Sequence, residues 1–299
     1  MDIWLQQLFN GISLGSILLL VAIGLAFSFG LMNVINMAHG EMIMIGAYCA
    51  YLAQQLLEGP LGASAPDVSF LLALPAAFAI AGLVGMGLEV TLIRRLYGRP
   101  LDTLLATWGV SLVLQQLARS IFGAPNVQVT TPSWLQGGIA VTGSFTMPYL
   151  RLFIIAMVLA AIALVWLYLV RTAAGRRTRA TMQNREVAAA LGVRTPRVDM
   201  LTFGLGSGLA GLAGCALALL GPIGPSLGTY YIVDSFLVVI LGGIGQVVGT
   251  AIAALAIGGA NALLEFQLSA SVAKVLVFAL VIAFLQWRPA GIIARRAAR

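Results

Sequence analysis

The chain has 299 residues, of which 60% are hydrophobic and 9% charged, with a mean hydropathy of +0.99. A soluble globule carries about 25% charged residues, so this composition excludes one. The net charge of +7 does not point to nucleic acid, because 14 of the 17 basic residues fall in three short clusters beside apolar runs. That distribution is membrane topology, and anionic lipid headgroups are sufficient partners for it.

The apolar runs are longer than the roughly 10 residues of a barrel strand and lack its alternation. The expected fold class is therefore all-α: a polytopic membrane helical bundle with residues 1–299 as a single transmembrane domain. The N-terminus has no basic region and no small-residue cleavage site, so no cleaved signal peptide is expected. Cys49 and Cys215 lie inside apolar runs and read as small packing residues.

Taken in order, residues 3–30 form a first uncharged span, followed by the polar interruption N-V-I-N-M-A-H-G-E-M and an apolar run at 43–57. Glu58, Pro60, Pro66 and Asp67 mark a turn. A third span, 70–93, ends in Arg94, Arg95 and Arg99, and a fourth covers 103–121. Residues 122–148 are turn-rich and nearly uncharged, which predicts an external loop with a small hairpin. A fifth span at 152–170 leads into the basic segment 171–199, after which runs at 200–220, 232–241, 249–264 and 272–287 follow. The count is nine crossings, or eight if the short run 232–241 is a half-span.

Two polar clusters interrupt this pattern, each between apolar runs and each with glycines and an acid. The first is Asn33, Asn36, His39 and Glu41, in which Asn36 and His39 would share a helical face and Gly40 would permit a break. The second is Thr229, Tyr230, Tyr231 and Asp234, after the broken G-P-I-G-P-S-L-G. Intramembrane ionisable groups are costly and face the bundle interior, so both clusters are candidates for a solute path between broken helices near the midplane. Their bland reading is a polar knot between helices. Glu89 pairs with Arg94 or snorkels, and Glu265 is expected at an interface. His39 is the only histidine, which excludes a histidine-cluster metal site, and no serine stands in a G-x-S-x-G context. Neither catalytic residue, metal nor cofactor is expected, and no G-x-x-x-x-G-K-[ST] loop is present to bind a nucleotide.

The segment 171–199 carries seven arginines against Glu186 and Asp199. Arginine-rich connections stay on the cytoplasmic side. Within it Arg185 to Gly192 reads as a short helix, with Pro196 stopping it before the run at Met200. The small residues Ala188, Ala189 and Ala190 would let another surface approach its backbone.

Glu186, Ala188 and Gly192 stand as E-x-A-x-x-x-G, which resembles the coupling signature of ATP-binding-cassette importer permeases. In that family a short helix fits a groove on the ATPase subunit. The family's following I-x-L-P is replaced here, at Thr202, Gly204 and Leu205. G-L-M-N-V-I-N-M-A-H-G-E-M-I-M-I-G-A-Y, from Gly30 to Tyr48, resembles the branched-chain amino-acid and urea permease family, and the likeness runs to W-R-P-x-G at Trp287 to Gly291. N-M-A-H-G-E, M-Q-N-R-E from Met182 and G-P-S-L-G-T-Y-Y-I-V-D-S-F from Gly224 are similar to the urea branch.

The resemblance implies a multi-pass permease of the bacterial inner membrane, importing urea with a second homologous permease, two cytosolic ATPases and an extracytoplasmic binding protein. It implies coupling through Arg185, Glu186, Ala188, Ala189 and Gly192. Urea is neutral and wants acceptors, and the absence of any mid-span Arg or Lys apart from Lys274 weakly favours a neutral solute over a zwitterion. The alternative solute is a branched-chain amino acid or short amide. The rival class is a stand-alone channel or secondary transporter, with a membrane enzyme more distant.

Overall fold

A chain in lipid must satisfy its backbone donors and acceptors internally, and helices do so within one segment. The computed structural model describes residues 2–32, 34–142 and 145–293. Among them are eleven α-helices and one two-stranded hairpin. Nine helices correspond to the nine apolar runs: α1 (Asp2–Met32), α2 (His39–Leu61), α3 (Ala65–Thr91), α4 (Pro100–Phe122), α5 (Tyr149–Arg171), α8 (Thr195–Leu220), α9 (Leu227–Gly242), α10 (Val247–Glu265) and α11 (Ala270–Trp287). Six of them, all but α2, α4 and α9, are both long and apolar enough to cross a membrane. The molecule is an all-α polytopic membrane bundle.

The expected hairpin is present, β1 (Gly138–Thr142) pairing antiparallel with β2 (Phe145–Pro148). The basic segment holds α6 (Ala173–Gln183) and α7 (Arg185–Ala190). Two expectations about it are corrected. Pro196 stops no helix; it lies in the first turn of α8, which begins at Thr195, so residues 195–199 belong to the next span. Proline suits a first turn because its missing N–H has no partner to lose there. The short helix ends at Ala190, and Gly192 follows with φ 84°, in the left-handed region.

α1 and α8 are enclosed, with 83% of each apolar window buried, whereas α11 at 17% and α5 at 22% lie on the periphery. Close approach to α8 depends on glycine. Gly206 meets Gly24 of α1 backbone to backbone, and Gly214 meets Ile43 and Ala47 of α2. Such small-residue contacts are the main way helices gain packing where lipid is as apolar as leucine. Gly243 and Gly245, with φ 98° and 78°, make the tight turn between α9 and α10.

Candidate functional site

The N-termini of α2 and α9 meet inside the bundle. Gly40 and Gly228 face each other so closely that a side chain on either would run into the other's backbone. This gives Gly40 a different role from the expected one: it packs two helix ends together within the first turn of α2 and breaks nothing. Asn33 lies outside the described residues. Asn36 precedes α2, and its side-chain oxygen accepts from the Ala38 N–H at 3.0 Å, so it shapes the turn and shares no helical face with His39. His39 is fully buried, with Nε2 3.2 Å from the Val21 carbonyl, which places the proton on Nε2.

Glu41 is the centre of this region. Its Oε1 accepts from Ser111 Oγ at 2.7 Å and from Gln115 Nε2 at 2.9 Å, and the same amide lies 3.0 Å from Thr229 Oγ1. Oε2 is buried with no partner among the described residues. The carboxylate stands in the first turn of α2, where the helix dipole favours negative charge.

Ser111 and Gln115 were not singled out from the sequence, and they belong to a pattern. Thr103, Thr107, Ser111 and Gln115 recur every four residues and form the buried face of α4, while Leu105, Trp108, Leu112 and Leu117 are exposed. α4 is thus an inverted amphipathic helix, apolar towards lipid and polar towards the bundle. Thr107 Oγ1 accepts from the Met37 N–H at 3.1 Å, so this stripe also holds the α1–α2 connection. Polar residues spaced by four within an apolar run were the signal that would have found it.

The second expected cluster is split. α9 begins at Leu227, so Thr229, Tyr230 and Tyr231 lie in its first turns and not in a break before it. Thr229 faces Gln115, whereas Tyr230, Tyr231 and Asp234 face α10 and α11 across a cavity of about 380 Å³. Lys274 of α11 reaches in, its Nζ 3.1 Å from Asp234 Oδ2 and 2.9 Å from the Tyr230 carbonyl. The one exception to the scarcity of mid-span cations thus stands beside a carboxylate in a cavity that also holds Glu265 and Asn261.

At the arginine-rich end, five side chains from four chain segments interlock. Arg185, the first residue of α7, bonds both oxygens of Asp199 at 3.1 and 2.5 Å, and its guanidinium lies 5.1 Å from the centre of the Tyr97 ring. Tyr97 donates to Glu89 at 2.9 Å. Arg94 grips Glu89 at 3.2 and 2.8 Å and reaches the Pro196 carbonyl at 3.1 Å. The Glu89 and Asp199 side chains are wholly buried. Burial first, then the Asp199 and Glu89 carboxylates, hold the Tyr97 phenol above its ordinary pKa, so it stays a donor. Of the expected coupling residues, Arg185 is turned inward and Ala188 is buried, while Glu186, Ala189 and Gly192 are exposed.

This is the architecture of a membrane permease, a helical bundle with a polar seam inside and a helical knob at one end. The chain belongs to the family described as branched-chain amino acid transport system, permease component, matched over residues 7–285. It is similar to the high-affinity branched-chain amino acid transport system permease protein BraD of Pseudomonas aeruginosa, at 30% identity over 98% of this chain and 96% of that protein. The corresponding LivH proteins of Salmonella typhimurium and Escherichia coli K12 are each 33% identical, again over 98% of this chain and 96% of theirs. No solved structure matches significantly.

Proposed function

We propose that the chain is one permease of an ATP-driven importer and carries an aliphatic amino acid. The observation that carries this reading is similarity over 98% of the chain to permeases named for branched-chain amino acid transport, combined with the buried polar seam around Glu41. Urea, suggested by short sequence blocks, gives way as first choice because the similar proteins carry the other solute in their names.

The reading has a second homologous permease beside this one, two cytosolic ATPases below it and an extracytoplasmic binding protein above. The arginine-rich end faces the cytoplasm, as the excess of arginine there favours. ATP binding moves the exposed side of α7 (Glu186, Ala189 and Gly192). The inward-turned Arg185 and buried Ala188 hold α7 to the bundle, and α2, α4 and α9 then open the path past Asn36, His39, Glu41 and Thr229. A permease that receives solute from a binding protein needs only a weak path, which a few buried polar groups supply.

The test is uptake by cells lacking their own amino-acid and urea transport and expressing this chain with its partner components. Labelled leucine should accumulate and labelled urea should not, and accumulation should stop when the ATPase is inactivated. Urea uptake alone would overturn the solute, and leucine uptake with the ATPase dead would overturn the ATP-driven class.

A further inference from the structure

The cavity between α1, α9, α10 and α11 has both a polar and an aliphatic lining. Asp234 and Asn261 are each 3% exposed, and Asp234 Oδ1 and Asn261 Oδ1 have no hydrogen-bond partner among the described residues. A buried acceptor left unsatisfied is costly, so a ligand bringing N–H groups to both removes that cost. Beside them the Lys274 ammonium has three N–H groups and uses two, on Asp234 Oδ2 and on the Tyr230 carbonyl. The third is left for an anionic oxygen. The same cavity is also lined by Leu14, Leu18 and Leu227, with Glu265 beside them in the lining.

Two bare acceptors, a spare ammonium donor and an aliphatic wall form a recognisable set. We propose that this cavity is a recognition site for a zwitterionic aliphatic amino acid. Asp234 and Asn261 accept from its α-ammonium, Lys274 donates to its α-carboxylate, and Leu14, Leu18 and Leu227 hold its side chain. The volume of about 380 Å³ lies at the small end of the range for ligand pockets, as suits a solute of this size. An amine, a carboxylic acid and urea each leave one element of the set unused. The site rests on the reading of the chain as an amino-acid permease and is distinct from the Glu41 region.

The probe is a photoactivatable diazirine analogue of leucine, applied to the purified complete transporter in lipid nanodiscs without the binding protein. Labelled positions are mapped by mass spectrometry. The expected label falls on peptides carrying Leu14, Leu18 or Leu227. Leucine should compete for it at least tenfold better than isoamylamine, which lacks the carboxylate, 4-methylpentanoate, which lacks the ammonium, or urea. Asp234→Asn and Lys274→Gln should each cut the label about tenfold at equal amounts of intact complex. If either variant fails to assemble, the mapping and competition on the wild-type complex still decide.

Label confined to α2 and α4 around Glu41, or equal competition by the amine or the acid, would overturn the site. If the same complex still imports leucine, the functional reading survives that result. A complex that imports urea and no leucine overturns both.

Discussion

Glu41 has one oxygen satisfied by Ser111 and Gln115 and the other bare. That asymmetry separates its structural duty from the role in the path proposed for it. Glu41→Gln keeps a carbonyl acceptor for Ser111 and Gln115 and replaces the bare oxygen with a donor. Membrane abundance should therefore match wild type while leucine uptake falls about tenfold, the ~1.4 kcal/mol typical of one altered buried hydrogen bond. Unchanged uptake would remove Glu41 from the path. The polar run around His39 was visible in the sequence, but its partners were not, because Ser111 and Gln115 lie 70 and 74 residues away. Asn36 misled for a local reason: a side chain that can cap its own turn competes with the helix it was assigned to.

For α7 the deciding contacts run backwards into the bundle. A six-residue helix has too few internal hydrogen bonds to hold a direction alone, and Arg185 ties its first turn to Asp199 of α8 and to Tyr97 after α3. In the proposed mechanism, push on the exposed side of α7 is thereby delivered to two spans. Arg185→Ala breaks a two-pronged bond to a buried carboxylate, and with Arg185 over a third exposed the loss is about 1–2 kcal/mol. The expected result is ATP hydrolysis within twofold of wild type and leucine uptake reduced about tenfold, so that more ATP is spent per solute. Arg185→Lys should recover only part, because a single ammonium cannot match the fork. Equal losses of hydrolysis and uptake would make the residue a fold element only. α9 teaches a related point, since its first turns are polar enough to read as a break and are helical because Gly228 packs on Gly40.

Across the whole molecule, the hairpin and α7 should lie on opposite sides of the membrane. Cys49 and Cys215 are free and buried, so single surface cysteines can be labelled selectively on the native background. Ile139→Cys, at an exposed hairpin position, should react with a membrane-impermeant maleimide in intact cells, and Leu191→Cys, at an 80% exposed position beyond α7, only in inverted vesicles. The reverse pattern would refute the orientation. The helical bundle and its nine apolar helices followed from the sequence by itself, because lipid admits only segments that close their own hydrogen bonds, although only six of the nine are long and apolar enough to cross on their own. Only the tertiary structure decided which polar groups meet: the Glu41 seam, the Arg185 interlock and the Lys274 cavity each join residues far apart in the chain. Composition and spacing report what one segment needs, and packing alone determines which segment meets that need.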